Sequence, residues 1–247
     1  MLGITRAMIM TMVFAVLSAC DSDGGNGSNT VIDQSFGGLW SGTLTIEGSD
    51  AADFFAITTD DGRFQFFSDD TQPLFVGTAQ VTANSVAGDG QGYAAAAQTW
   101  LNSLTVTAVT VDASISAGKS LSGTWTATSG ESGSFSFSYE PEYENDSALT
   151  LLQGVWSDDL LMPFVTFTID ADGQFFAQNA IGCTTDGQFS IIDASVNVYA
   201  VTSTIANCPF AGDYSGLATI GEVDNPNDSM VIVISNDERG SVVLLQQ

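Results

Sequence analysis

The sequence predicts an all-β chain built as two tandem small antiparallel up-and-down β-barrels of about eight strands each. Three observations carry that prediction. Apolar and polar residues alternate with period two in many short segments, as in Phe135, Phe137 and Tyr139 between Ser134, Ser136 and Ser138. Asp-Gly pairs that suit tight hairpins, Asp61-Gly62 and Asp172-Gly173, sit inside such segments. The pattern also occurs twice: Gly38-Leu39-Trp40 and Gly154-Val155-Trp156 each open a series of strands.

Along the chain, residues 1–19 come first. Arg6 provides one positive charge, an apolar run extends from Ala7 to Leu17, and the small Ser18 and Ala19 precede Cys20. A run this short reads as a signal peptide rather than a membrane span, which needs about 20 apolar residues. Leu17-Ser18-Ala19-Cys20 resembles the lipobox of bacterial lipoproteins. That resemblance implies cleavage before Cys20, acylation of its sulfur and amino group, and anchoring to a membrane of the cell envelope. The alternative is an ordinary cleaved signal that leaves a free thiol. Asp21 resembles the signal that retains enterobacterial lipoproteins in the inner membrane, a rule that varies between bacterial groups and leaves the membrane undecided. Residues 20–34 then form an acidic, Gly-rich tether with almost nothing to bury.

The first barrel is expected over 35–146. After Gly38-Leu39-Trp40 comes DFFAITTDDGRFQFF (53–67), two alternating segments around an Asp-Gly turn. GDGQGYAAAAQTW (88–100) reads as an insertion without a counterpart in the second copy, a mobile loop or a lid over the barrel mouth carrying Tyr93 and Trp100. Leu104, Val106 and Ala108 alternate with Thr105 and Thr107 until the phase slips at Val109, which suggests a bulge. The boundary falls in the acidic stretch Glu140 to Ser147, followed by a short helical turn over 148–153. The second barrel, 147–247, repeats the opening with FVTFTIDADGQFFAQ (164–178), and Tyr214 to Ala218 echoes Leu121 to Trp125. Its final hairpin, SMVIVIS (229–235) and SVVLL (241–245), is apolar on both faces, so its outer face should be covered, by the first barrel or by another molecule. Cys183 and Cys208 remain once Cys20 is assigned, and in an oxidising compartment they should pair. Closing that loop contributes roughly 3–4 kcal/mol on the chain-entropy model.

Gly-x-Trp on a first strand followed by a meander through an Asp-Gly turn resembles the lipocalin and avidin barrels over about thirty residues of each copy. The resemblance implies that Trp40 and Trp156 plug one end of each barrel. The polar residues that hold biotin in avidins have no evident counterparts around Ser157 to Met162, so the scaffold is implied and its ligand is not.

The chain has 29 acidic and 4 basic residues. That excess argues against nucleic acid and anionic headgroups as partners, since both need Lys and Arg to neutralise phosphates. There is no His, so nucleophile-and-base catalysis and zinc sites lack their usual residue. Lys119 in AGKSL has the wrong spacing for a phosphate loop. Asp170-x-Asp172-Gly173 begins like a calcium loop but lacks the downstream Glu and reads as a hairpin. No metal or cofactor is expected. The sequence therefore points to a non-catalytic, lipid-anchored envelope protein that presents two barrels for binding or structural interaction. A lipocalin-like carrier of a small apolar ligand is the second reading. It needs a hollow interior, against which 16 Phe and 4 Trp weigh. An Asp/Glu glycosidase is the third, and it would need two facing carboxylates in a groove.

Overall fold

Sixteen strands, eight in each of two closed antiparallel meanders, make up the computed structural model. It describes residues 32–68, 72–158, 165–179, 182–222 and 225–247; the expected signal peptide, Cys20 and most of the tether lie outside these. The first barrel comprises β1 (Gly38–Ile46), β2 (Ala52–Thr58), β3 (Arg63–Phe67), β4 (Leu74–Thr82), β5 (Ser85–Tyr93), β6 (Val106–Ser116), β7 (Ser120–Ala127) and β8 (Ser132–Glu140), with β8 returning to pair with β1. A 3₁₀ turn (Pro141–Glu144) and α1 (Leu149–Leu152) lead to the second. This comprises β9 (Gly154–Asp158), β10 (Val165–Ile169), β11 (Gln174–Asn179), β12 (Thr184–Ile191), β13 (Tyr199–Ala206), β14 (Gly212–Gly221), β15 (Ser229–Ser235) and β16 (Gly240–Gln246), closed where Gln246 meets Ser157. Closure removes the open edges that would otherwise template aggregation.

The duplication is explicit in backbone detail. In the β2–β3 turn, Thr59 N–H donates to Arg63 C=O (3.0 Å) and Gly62 N–H to Thr59 C=O (2.9 Å). In the β10–β11 turn, Asp170 N–H donates to Gln174 C=O (2.9 Å) and Gly173 N–H to Asp170 C=O (3.1 Å). Both glycines have positive φ, 93° and 80°, a region that penalises a Cβ. Asp170 Oδ1 accepts from the N–H groups of Asp172 and Gln174, so this carboxylate shapes the hairpin.

Each Trp expected to plug a barrel is fully buried, Trp40 at 1% exposure and Trp156 at 0%. Each is preceded four residues earlier by a buried apolar residue, Phe36 or Leu152. The Trp156 indole donates directly to Leu152 C=O (2.7 Å). In the first copy the Trp40 indole donates to Thr58 Oγ1 (2.8 Å), and Thr58 in turn donates to Phe36 C=O. Thr58 pairs with Gly38 as Ile169 pairs with Gly154, so the relay hydroxyl occupies the place of an isoleucine. Thr58→Val should leave the indole N–H and a buried carbonyl unpaired and cost about 1–3 kcal/mol, read as a lower urea midpoint at unchanged slope.

Three expectations fail in the first barrel and its comparison with the second. Residues 88–93 belong to β5, paired continuously with β4 and β6, so Tyr93 is a strand residue and not part of a lid. The inward positions Gly88, Gly90 and Gly92 hid that strand, because they carry no apolar side chain to reveal the alternation. β6 carries no bulge against β5: Thr107, Val109 and Val111 are buried in one phase, and Leu104 is 58% exposed outside the strand. Tyr214 to Ala218 lies on β14, the sixth strand of its barrel, whereas Leu121 to Trp125 lies on β7, the seventh of its own. That echo is not a structural equivalence.

Residues Ile32–Gln247 form one compact unit, and the outer face of β15 is covered by the first barrel. Val233 (0% exposed) and Val231 pack in one apolar cluster with Leu39, Ile57, Phe67 and Leu74. Polar ties cross the same seam. Gln65 Nε2 donates to Val233 C=O (3.1 Å), Tyr93 OH to Asn236 C=O (2.8 Å) and Asn197 N–H to Tyr143 C=O (2.9 Å). Burial raises the pKa of both phenols, and the Asp60 carboxylate adds to the effect at Tyr143. Both hydroxyls therefore stay neutral at physiological pH.

Candidate functional site

The two interiors differ in how they are filled. In the first barrel Phe66 packs against Phe135 (5.1 Å between ring centroids) and Phe137 (5.4 Å). Phe75 lies 4.8 Å from Trp125 and 6.1 Å from Trp100. Small inward residues make room for these rings. A Cβ on Gly77 would stand 2.6 Å from Phe64, and one on Gly92 would stand 2.8 Å from Trp100. Trp100, expected on a mobile loop or lid, is 6% exposed, and its indole donates to Gly92 C=O (2.9 Å). It anchors the 94–105 connection in the core. That interior is a packed one, as small barrels commonly have.

The shared register shows what the second barrel has instead. Counting from Gly62 and Gly173, Phe66 corresponds to Ala177. The β1–β8 and β9–β16 pairings match Phe135 with Val243, and one strand further Trp125 matches Ile234. Three large aromatic side chains are thus replaced by an alanine, a valine and an isoleucine. All three replacements line a cavity of about 310 Å³, at the lower end of the range for small-molecule sites.

Most of its wall is apolar, including Phe167, Phe175, Val201 and Ile232. Two buried polar residues share it. Asp158 is 1% exposed, and Ser203 is 6% exposed with an Oγ that has no hydrogen-bond partner among the described residues. Ser203 alternates in phase with Val201 and Tyr199 on β13, so its hydroxyl faces inward. A buried hydroxyl without a partner costs free energy that a ligand's polar group recovers.

The disulfide expected between Cys183 and Cys208 is present, with Cα atoms 5.2 Å apart. It ties the residue preceding β12 to the β13–β14 connection, whose Phe210 also lines the cavity. Asn179 Oδ1 accepts the Cys183 N–H (2.9 Å), which fixes the same corner. Of the segment Ser157 to Met162, residues 159–162 lie outside the described ones, as does Cys20.

The aromatic filling that weighs against a hollow interior is therefore complete in the first barrel and partial in the second, where Trp156, Phe167, Phe175, Phe189, Tyr199 and Tyr214 stay in the core beside the cavity. The key residues Ala177 and Ser203 had no motif to announce them. The signal lay in the duplication: aligned on the Asp-Gly turns, RFQFF and QFFAQ set Phe66 opposite Ala177.

Among the described residues no group of three metal-ligating side chains converges. No family model matches the chain, and no curated protein does. Among solved structures it is similar to Aeromonas veronii immune modulator A, at 13% identity and a TM-score of 0.38, over 87% of this chain and 96% of that one. A likeness at that level transfers neither fold nor function.

Proposed function

We propose that this chain is a non-catalytic binding protein of the bacterial envelope, in which the second barrel holds a small apolar molecule and the first is a packed support. The observation that carries this reading is the 310 Å³ cavity with the unpartnered Ser203 hydroxyl on its wall. The fitting ligand has an apolar body and one hydrogen-bonding group. Asp158 on the same wall favours a neutral or donor-bearing ligand over an anion.

A glycosidase pair needs two carboxylates flanking the bond, about 5–10 Å apart. Among the described residues the cavity wall has one, Asp158. The cleft between the barrels has Glu140 and Glu142, both from the same side of it. Neither arrangement supplies facing acids, which supports the non-catalytic reading.

The test is Ala177→Phe, which installs the residue that the first barrel has at the matching place. Titration of the mature chain with the neutral fluorophore N-phenyl-1-naphthylamine should saturate for the parent. Ala177→Phe should weaken it at least about ten-fold while the thermal midpoint stays level or rises. Unchanged binding in a folded variant overturns the cavity as the site.

Tethering through an acylated Cys20 belongs to the same proposal and rests on the Leu17-Ser18-Ala19-Cys20 quartet. Cys20→Ser should abolish palmitate incorporation and move the protein from the membrane to the soluble fraction. Retained label would refute the anchor.

A further inference from the structure

A second cleft, of about 380 Å³, is lined by residues of both barrels. The first barrel contributes Phe55, Ile57 and Phe67 to it, and the second contributes Val231 and Leu244. Phe55 is 44% exposed and stacks on Phe67, with ring centroids 6.0 Å apart and planes at 30°. Phe67 beneath it is buried, so Phe55 is the open ring, and a large aromatic left open beside an apolar wall marks a place where a ligand recovers desolvation energy.

Glu140 and Glu142 stand at the same cleft, at the end of β8 and in the 3₁₀ turn. Glu140 accepts a hydrogen bond from Ser41 Oγ, which holds one carboxylate in place. Among the described residues the ion pair is Arg63–Asp61 (2.9 Å), so neither glutamate meets a Lys or Arg there. In a chain with 29 acids a carboxylate without a cation says little by itself. What singles out this pair is that it lines the same cleft as the exposed Phe55 ring, because an organic cation gains from both a carboxylate and the π-face of a ring. The same charge excludes an anionic lipid, a nucleic acid or a second copy of this chain, whose formal net charge is −25.

We propose that the cleft between the barrels binds a small organic cation, its apolar body against Phe55, Phe67 and Leu244 and its ammonium facing Glu140 and Glu142. The site is separate from the cavity of the second barrel and stands without it.

Calorimetric titration of the mature chain with hexyltrimethylammonium, hexyl sulfate and hexanol tests the assignment. The cation should bind at least about ten-fold tighter than the anion or the alcohol and lose several-fold in affinity between about 20 and about 200 mM salt. The double variant E140Q/E142Q keeps the hydrogen-bond acceptors and should lose about ten-fold or more for the cation. F55S, a change at an exposed position, should weaken it likewise, and Ala177→Phe should leave it unchanged. Equal binding of the three probes, binding of none, or cation affinity unmoved in E140Q/E142Q overturns the proposal. Loss in Ala177→Phe alone also overturns it, by placing the cation in the second barrel.

Discussion

Val233→Asp should lower stability by about 4 kcal/mol or more and divide one cooperative unfolding transition into two. Val233 is fully buried at the centre of the seam, among Leu39, Ile57 and Leu217. A carboxylate there loses its hydration among apolar neighbours. Across the seam, Gln65 Nε2 is already bound to the Val233 carbonyl, and its Oε1 is buried with no partner among the described residues. The charge either forces the barrels apart or is protonated at a cost, and both routes fall in the range of severe single substitutions. Urea unfolding followed by two probes, tryptophan fluorescence and far-ultraviolet dichroism, reads the result as non-coincident curves. Val155→Asp, at an outward position of β9 that is 58% exposed, is the control and should stay within about 0.5 kcal/mol of the parent. A parent-like midpoint for Val233→Asp would mean that the barrels are held together by something other than this seam.

Trp156→Ala comes next in size, at about 3–5 kcal/mol. The substitution empties a volume that is closed on every side, since Trp156 is 0% exposed and packed within the second barrel's core. It also removes the indole donor that holds the Leu152 carbonyl, and with it the hook that keeps α1 seated. Trp156→Phe retains most of the buried surface and loses the hydrogen bond, so its cost should fall near 1–2 kcal/mol. Thermal unfolding of the pair separates the packing share from the hydrogen-bond share. A cost below about 1 kcal/mol for the alanine variant would show that the residue is not the structural closure its burial implies.

What was legible in the sequence followed from side chains that announce their own direction. The Phe-Ser alternation of β8 and the two Asp-Gly turns gave strands, hairpins and the doubling. The final hairpin showed its covered face because Val231 and Val233 are apolar where a solvated strand carries Ser or Thr. β5 is hidden in the sequence for the opposite reason. Its inward residues are glycines, chosen to clear space for Phe64 and Trp100, and they leave no periodic trace. The phase of β6 is hidden because Leu104 resembles the start of an inward series, whereas the inward residue near that end is Thr107, buried and bonded to Ser129 Oγ (3.0 Å). The cavity was hardest to see, since it consists of volume that is missing. Phe and Trp counts for the whole chain concealed their uneven division between two interiors.

Sharing the Val233 seam has a consequence for how the second barrel can change over evolutionary time. A solitary barrel that traded Phe66, Trp125 and Phe135 for Ala177, Ile234 and Val243 would lose much of the packing that keeps it folded. Joined to a neighbour that retains its rings, it also buries Val231 and Val233 against Leu39, Ile57 and Phe67, apolar surface that unfolding would have to expose. Substitutions along its inner wall are therefore buffered, and the duplicated partner gives natural variation room to reshape that wall for a different guest.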